Sequence, residues 1–318
     1  MIHSRIAGTG SYLPEKVVTN SDLEKMVDTT DEWIRTRTGI ERRHVAADGQ
    51  TTVDLAEQAA RRALDAAGIA PADVDFIAFG TTTPDLVFPN CGVLLQQRLG
   101  CRGGPAFSLE TACAGFMYAL SIADKYVRCG EAKRALVIGS ETLSRITDWS
   151  DRGTAVLFAD GAGAVVLEPS AAPGVLSTHL HADGQYKDLL YCSSGVSKGF
   201  APKLAITMSG NEVFKVAVTK LGQAVDETLA ANGLTKDALD WLVPHQANIR
   251  IIQAMARRLD LPMEKVIVTV QEHGNTSAAS VPLALDVAVR DGRIKRGELL
   301  LLEAFGGGFT WGSALVRY

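Results

Sequence analysis

Long apolar runs, a basic excess and a secretory leader are all missing from this sequence. No run approaches the roughly 18 apolar residues that a membrane-spanning helix needs. The N-terminal segment through Pro14 lacks the apolar core of a secretory signal. The formal net charge of −4 is unlike the basic balance of a general nucleic-acid-binding protein. We therefore expect a cytoplasmic protein with neither a membrane nor a nucleic-acid partner.

Cysteines are few, and their pattern excludes two common uses. The chain has 5 cysteines, an odd number, and none of them forms a CxxC pair. This set favours neither a disulfide framework nor a tetrahedral zinc site, so we expect no metal and leave the cysteines open to another use.

The chain contains two halves with similar sequence patterns. With 318 residues, 47% of them hydrophobic, the chain is long enough for one large domain or two fused ones. Residues 64–69 resemble 229–234, and residues 110–113 and 128–134 resemble 272–275 and 290–296. The second match places Cys113 opposite Asn275. Chance matches of Gly and Leu in alanine-rich helices are the alternative explanation.

Each half alternates helical and strand-like patterns. Apolar periodicity predicts helices at 53–67, 114–127, 213–231 and 277–289, and short apolar runs predict strands at 76–79, 135–138, 239–243 and 299–302. This alternation predicts an α/β protein with parallel strand pairing, its two units related by a pseudo-twofold axis. We expect an N-terminal unit at 1–170 and a C-terminal unit at 171–318.

Three polar residues stand where a shared site would form. Cys113 begins a predicted helix, where backbone N–H groups and the helix dipole favour a thiolate nucleophile. His245 ends an apolar strand, and Asn275 opens a helix. Each has a purely structural alternative: a buried core cysteine, a histidine that satisfies backbone groups, and a helix N-cap.

Four motifs, taken in order, resemble one enzyme family. They are Ala-Cys-Ala-Gly-Phe at 112–116, Val-Pro-His-Gln-Ala-Asn at 243–248, His-Gly-Asn-Thr-Ser-Ala-Ala-Ser at 273–280, and Gly-Gly-Gly-Phe-Thr-Trp at 306–311. Together they are similar to the beta-ketoacyl-acyl carrier protein synthase III family of the thiolase superfamily, and the resemblance covers essentially the whole chain. It implies a thiolase-like fold, with two duplicated αβ halves forming a layered α-β-α-β-α core.

The resemblance also implies a reaction. Cys113 accepts an acyl group from acyl-CoA, and His245 and Asn275 bind malonyl-acyl carrier protein while it loses carbon dioxide and attacks the acyl-enzyme. Backbone N–H groups of Cys113 and Gly307 form an oxyanion hole. Acyl-CoA is a substrate, and no permanently bound cofactor is expected. A related condensing or acyl-transfer enzyme of secondary metabolism is the first alternative; a cysteine hydrolase and a noncatalytic acyl-CoA-binding module are others.

A cluster of aromatic and basic residues matches the family's CoA site. By resemblance, Trp33 and Arg152 sandwich the adenine, while Arg37, Thr38 and Asn248 hold the rest of the cofactor. Segment 31–39 combines an aromatic face with cations, which suits a nucleobase and phosphates. A surface tryptophan over an ion-paired face is the alternative.

Two further sets of residues resemble contact sites for other protein chains. Arg250, Arg257 and Arg258 recur at helical spacing, and with Lys215 they resemble the family's docking patch for an acidic carrier protein; an ordinary solvated face is the alternative. Phe88 matches a residue that closes the acyl pocket of a second subunit, which implies a homodimer, although it also fits a core position. Glu110 departs from the small residue common in the family.

Overall fold

The computed structural model of the protein describes residues 2–201 and 204–318, and helices and strands alternate along this length. The strands are β1 (His3–Tyr12), β2 (Lys16–Thr19), β3 (Arg42–Val45), β4 (Phe76–Gly80), β5 (Ala106–Leu109), β6 (Ala135–Thr142), β7 (Asp160–Ser170), β8 (Val175–Ala182), β9 (Leu190–Cys192), β10 (Ile206–Met208), β11 (Trp241–Pro244), β12 (Leu299–Gly306) and β13 (Thr310–Arg317). The helices are α1 (Asn20–Leu23), α2 (Asp31–Thr38), α3 (Thr52–Ala67), α4 (Cys91–Leu99), α5 (Gly115–Arg128), α6 (Arg152–Ala155), α7 (Gly210–Ala231), α8 (Ile249–Arg258), α9 (Val270–His273) and α10 (Ser280–Arg290).

Two sheets with the same plan form the centre of the molecule. The first has the order β1-β7-β6-β4-β5, and the second has the order β11-β12-β13-β8. In the first, β4 runs parallel to both neighbours while β6, β7 and β1 pair antiparallel; in the second, β11 and β12 are parallel and the remaining pairs antiparallel. A parallel bridge from Leu242 to Val266 gives β11 a neighbour equivalent to β5. Parallel pairing therefore involves only some of the strands in each sheet.

Three layers of helices alternate with the two sheets, which makes five layers in all. α3 and α4 pack on the outer face of the first sheet, α5 and α10 lie between the two sheets, and α7 and α8 cover the second. Because helices lie on both faces, every residue of β4, β6 and β12 is buried, as their largely apolar sequences require. The predicted α-β-α-β-α layering is confirmed.

The boundaries of α3 illustrate how local sequence sets these elements. Thr51 and Asp54 form a capping box at its start, and Gly68 ends it with a left-handed φ of 66°. Between them, a stripe of small and branched apolar side chains, including Val53 and Leu64, is buried against the first sheet.

The C-terminal ends of α5 and α10 correspond as the sequence repeat predicts. Gly130 follows α5 and Gly292 follows α10, and both have φ of +80°. A left-handed residue after the last helical turn is the common way to end a helix, and glycine adopts it without strain.

The starts of the same helices correct the repeat alignment. Ala112 (φ 45°) and Ser277 (φ 51°) occupy equivalent left-handed positions in the short 3-10 turns that lead into α5 and α10. The counterpart of Cys113 is therefore Ala278, and the predicted pairing of Cys113 with Asn275 is wrong. The cause is helix length: α5 has 14 residues and α10 has 11, so a match set at the helix ends is displaced at their starts.

Among residues 2–201 and 204–318, no helix has both the length and the apolar character needed to cross a membrane. The strands of the first sheet lie between residues 3 and 170, and those of the second between 175 and 317. The division into units at residue 170 remains a prediction.

Candidate active site

A cavity reaches from the surface near Trp33 to the buried junction of the two halves. The side chains of Cys113, His245 and Asn275 line its inner end, and each of these residues is 6% exposed. Other sequence-predicted residues that line the same cavity are Trp33, Arg37, Thr38, Asn248 and Arg250. The structure thus brings the three candidate catalytic residues and most of the candidate CoA contacts into one space.

Cys113 lies in the 3-10 turn Ala112–Ala114, between β5 and α5. The turn begins with Ala112 in the left-handed region, an uncommon conformation for a residue with a Cβ atom. The end of β12 passes very close to it, because a Cβ atom on Gly306 would lie only 2.6 Å from the Cys113 amide nitrogen. Glycine at 306 permits this approach, and Gly307 is the next residue along the chain.

The ionisation of Cys113 differs from the sequence expectation. Burial raises the pKa of its thiol to about 12, opposed by a contact with the Ser277 hydroxyl and reinforced by the nearby Glu141 carboxylate. The raised pKa favours the thiol in the ligand-free protein, in contrast to the thiolate expected from the helix start. Desolvation penalises the charged form, and it outweighs the favourable effect of the helix start.

His245 follows the last residue of β11, and its backbone N–H donates to the Glu303 carbonyl of β12 at 2.8 Å. Its Nδ1 lies 2.5 Å from the Ser280 hydroxyl at the start of α10. Burial lowers the pKa of the imidazole to about 3, so the ring is neutral at physiological pH. A neutral ring can donate one hydrogen bond to a ligand, but it supplies no positive charge.

Asn275 is held by both its backbone and its side chain. Its amide donates to the Leu157 carbonyl, and its own carbonyl accepts from Ala159, each at 2.9 Å. Its Oδ1 accepts the Ser277 N–H at 2.9 Å, which leaves the Nδ2 group as the donor end. The N-cap alternative is wrong for α10, whose N-cap residue is Ala279.

At the mouth, two arginines approach the same indole. The Arg152 guanidinium lies 4.8 Å and that of Arg37 lies 5.0 Å from the Trp33 ring centroid. Thr38 is buried, and its hydroxyl donates to Ile34, while Asn248 caps α8 by accepting from Arg250. All five candidate CoA residues therefore cluster at or near the mouth, and their contact with CoA stays a prediction.

The candidate docking residues are exposed, but they are not equivalent. Arg258 forms an ion pair with Asp226 of α7, and the Arg250 guanidinium lies 5.5 Å from the Phe214 ring centroid. Lys215 and Arg257 project from α7 and α8 as exposed cations. Arg258 thus already has a partner within the chain.

Two further predicted positions lie outside the cavity of this chain. Phe88 is 83% exposed, next to the exposed Leu86 and Val87, so the core alternative for Phe88 is wrong. Glu110 is exposed at the end of β5. Its carboxylate does not line the cavity formed by the described residues.

Four polar residues near the site received no role from the sequence. Glu303 lines the cavity within β12, and Glu141 accepts hydrogen bonds from Thr and Ser hydroxyls, including the Ser277 hydroxyl at 3.2 Å. Ser280 contacts His245. A carboxylate inside the otherwise apolar strand β12 was a visible signal for Glu303. Glu141 lies between Ser140 and Thr142 at the polar end of β6, and the serines carried no signal beyond their motif.

Comparison with solved structures defines the class. A crystal structure of 3-oxoacyl-acyl-carrier-protein synthase III from Aquifex aeolicus superposes with a TM-score of 0.94 and 47% identity, covering 99% of this chain and 100% of that one. The double-sheet architecture and the site between its halves are those of the thiolase-like condensing enzymes.

Sequence comparison defines the family. The family model for 3-oxoacyl-acyl-carrier-protein synthase III matches residues 107–184, and the one for its C-terminal part matches 229–318. Beta-ketoacyl-acyl-carrier-protein synthase III of Xanthomonas campestris is 65% identical, covering 100% of this chain and 99% of that protein. The protein of the same name from Thioalkalivibrio sulfidiphilus is 62% identical with full coverage of both. The chain belongs to the 3-oxoacyl-acyl-carrier-protein synthase III family, and the expected acyltransferase class is confirmed.

Proposed function

We propose that this protein catalyses the decarboxylative condensation of an acyl-CoA primer with malonyl-acyl carrier protein, the reaction that initiates fatty acid synthesis. The observation that carries the proposal is the convergence of Cys113, His245 and Asn275 at the inner end of one cavity. Full-length relatives at 62–65% identity bear the name of this activity. These relatives favour it over the alternative in secondary metabolism.

In the first half-reaction, the Cys113 sulfur attacks the thioester carbonyl of the primer. The bond from that carbonyl to the CoA sulfur breaks, and the thiol proton leaves with CoA. The transient oxyanion lies where backbone N–H groups of Cys113 and Gly307 can donate to it, which the close approach of Gly306 supports. The raised pKa of Cys113 favours loss of the proton during the attack over loss before it.

In the second half-reaction, the malonyl carboxylate leaves as carbon dioxide, and its electron pair passes into an enolate on the thioester. Hydrogen bonds from the His245 ring and the Asn275 amide stabilise the enolate oxygen. The enolate carbon then attacks the carbonyl of acyl-Cys113, the bond from that carbonyl to the cysteine sulfur breaks, and the departing thiolate takes a proton from solvent to restore the thiol. Neutral donors that are already fixed in a buried site suit this step, because they need little reorganisation as the charge develops.

Three partner assignments accompany this proposal. The Trp33 mouth receives CoA, and the exposed Lys215 and Arg257, with Arg250, receive the acidic carrier protein. The exposed Phe88 segment packs against a second copy in a homodimer. The protein works in the cytoplasm without a resident cofactor.

Mass spectrometry of the intact protein tests the proposal. Incubation with a panel of acyl-CoAs should add one acyl group, absent in Cys113→Ala and retained in the matched Cys129→Ala variant, whose cysteine is exposed. Adding malonyl-acyl carrier protein should then release carbon dioxide and discharge the acyl group as a ketoacyl product. Discharge by water alone would indicate a hydrolase, and acceptors other than malonyl-acyl carrier protein would indicate secondary metabolism.

A further inference from the structure

The imidazole of His245 has one hydrogen-bonding partner on its inner side. Its Nδ1 lies 2.5 Å from the Ser280 hydroxyl oxygen, and the contact is fully buried. The same oxygen accepts the backbone N–H of Gln246 at 2.9 Å. Ser280 is the first residue of α10, so the contact joins the end of β11 to the central helical layer.

The position of the Gln246 backbone is fixed independently of Ser280. Its side-chain amide donates to the Pro244 and Ile267 carbonyls at 2.8 and 3.0 Å, and its Oε1 accepts the N–H groups of Thr269 and Val270. These bonds anchor the residue on both sides. The backbone N–H of Gln246 therefore keeps its position whether or not the Ser280 hydroxyl is present.

Hydrogen counting then determines the direction of the bond between Ser280 and His245. A hydroxyl has one hydrogen to donate and two lone pairs that accept. The Gln246 N–H occupies one lone pair, and within residues 2–201 and 204–318 the hydroxyl has no acceptor other than His245 Nδ1. If Nδ1 carried the ring hydrogen, the serine hydrogen would be left buried without a partner, which is costly.

We propose that Ser280 is a positioning residue that donates to Nδ1 of His245 and thereby holds the ring in the tautomer whose hydrogen is on Nε2. Because the ring is neutral, it carries only one N–H, and the Nε2 hydrogen faces away from Ser280. This inference rests on the proposed function, in which His245 donates to the enolate oxygen. The opposite tautomer would turn a lone pair towards that oxygen and repel it.

The two half-reactions should respond differently to loss of this hydroxyl. At metal sites, removing the partner that orients a ligating histidine costs about 10- to 100-fold in activity, and the same range is expected for the orientation of this ring. We therefore expect Ser280→Ala to slow malonyl decarboxylation by about 10- to 100-fold, while acylation of Cys113 by acyl-CoA stays within about twofold of wild type. Ser140→Ala is the matched control, since Ser140 is a buried serine that donates to Thr52 away from the cavity.

The tautomer itself is measured by nitrogen-15 NMR of the histidine rings, with the His245 signals assigned by their loss in His245→Asn. Wild type should show a hydrogen on Nε2 and a bare, hydrogen-bonded Nδ1. Ser280→Ala should show a mixture or the opposite tautomer, and Ser280→Thr, which keeps the hydroxyl, should restore the wild-type pattern.

Two results would overturn the inference: a hydrogen on Nδ1 in wild type, or the same tautomer in wild type and Ser280→Ala. Acyl loading of Cys113 reports whether Ser280→Ala is folded, and Ser280→Thr provides a second variant. The NMR result is independent of the reaction, so wild-type protein that holds the Nε2 hydrogen but fails to condense would refute the proposed function alone.

Discussion

The carboxyl group of Glu303 is the most unusual single group in the site. It is 1% exposed, and neither of its oxygens has a hydrogen-bond partner within the described part of the chain. Burial raises its pKa to about 8. At neutral pH the group is therefore a neutral acid beside the cavity, which avoids placing a second negative charge near a malonyl thioester.

Glu303→Gln should change how stability depends on pH. In the unfolded chain this carboxyl ionises near the ordinary glutamate pKa of 4.5, whereas in the folded protein it holds its proton up to about pH 8. The folded state thus binds more protons between these values, and the group's contribution to stability falls by about 1.4 kcal/mol per pH unit as pH rises through that window. The variant should gain stability relative to wild type from pH 5 to pH 8, with no further gain above it.

Denaturant unfolding of both proteins at several pH values measures this difference. The glutamine has nearly the same shape, so packing contributes equally at every pH. A difference in the free energy of unfolding that does not vary between pH 5 and pH 8 would contradict the raised pKa of Glu303.

The Cys113 thiol should be a slow nucleophile towards a small alkylating reagent. With a pKa of about 12, its thiolate fraction keeps increasing through the accessible alkaline range. Iodoacetamide labelling of the Cys113 peptide, followed by mass spectrometry, should therefore accelerate steadily from pH 7 to pH 10. A rate that levels off near pH 8 would instead support the thiolate expected from the helix start alone.

At the scale of elements, the junction of β12 with the cysteine turn is a very tight contact near the site. A Cβ atom on Gly306 would lie 2.6 Å from the Cys113 nitrogen and 3.0 Å from the Thr111 carbonyl oxygen. These are backbone atoms, which cannot rotate away as a flexible side chain would. The turn and the strand must therefore separate if residue 306 acquires a side chain.

Gly306→Ala should impair acylation more than folding. Overpacking of this kind costs about 1–3 kcal/mol, which a protein of this size can absorb, but the displaced turn would move the Cys113 amide out of reach of the oxyanion. Acyl loading should fall by at least about 10-fold. Gly184→Ala is the control, because nothing lies within 4 Å of the added atom; equal loading in both variants would refute the argument.

The sequence predicted most elements correctly, but not how they meet. Apolar runs gave β4, β6 and β12, and helical spacing with the glycine ends gave α3 and α5. The repeat alignment set the cysteine turn out of register with its partner, because α5 is longer than α10 and the alignment was fixed at their C-terminal ends. The C-terminal ends of α5 and α10 could therefore be predicted from local sequence more accurately than the lengths of these helices.

In the site, too, residue types could be predicted from the sequence, but the properties that depend on distant elements could not. Cys113, His245 and Asn275 were recognisable from residue type and position, and the structure brings them together. The protonation of Cys113 and His245 was not predictable, because it depends on burial by elements far away in the chain. Ser280 received no role because its partner, His245, lies in a different motif.

Over the whole molecule, α5 and α10 pack against strands of both halves. They form the layer between the sheets, and α5 contributes buried side chains that pack with strands of each sheet. Separating the halves would expose this layer to water. The two predicted units are therefore coupled through one shared core.

We accordingly expect a single unfolding transition. Differential scanning calorimetry should give one peak, with the calorimetric enthalpy equal to the van't Hoff enthalpy per cooperative unit. Val137 and Val243 contribute to the layer from opposite sheets, so Val137→Ala and Val243→Ala should lower the same transition. Two resolved peaks that respond separately to these variants would show independent units.

Electrostatic docking of the carrier protein should be visible as a salt effect. Arg257→Glu places a negative charge on the proposed docking surface and should raise KM for malonyl-acyl carrier protein several-fold at low ionic strength, with less effect at high salt. Acylation by acyl-CoA should stay unchanged. Arg102→Glu, at an exposed arginine of the first half, serves as the control; equal effects in both variants would refute the docking surface.

The indole of Trp33 is not bare in the ligand-free protein, since the guanidinium of Arg152 lies over it at 4.8 Å. A planar base that enters there must replace one π partner of the ring with another. If the base lies between the indole and the guanidinium, as the family resemblance implies, Arg152 exchanges its contact with the indole for one with the base, and the lost contact offsets part of the stacking gain. The indole therefore holds a stacked base less tightly than an indole with no guanidinium over it would.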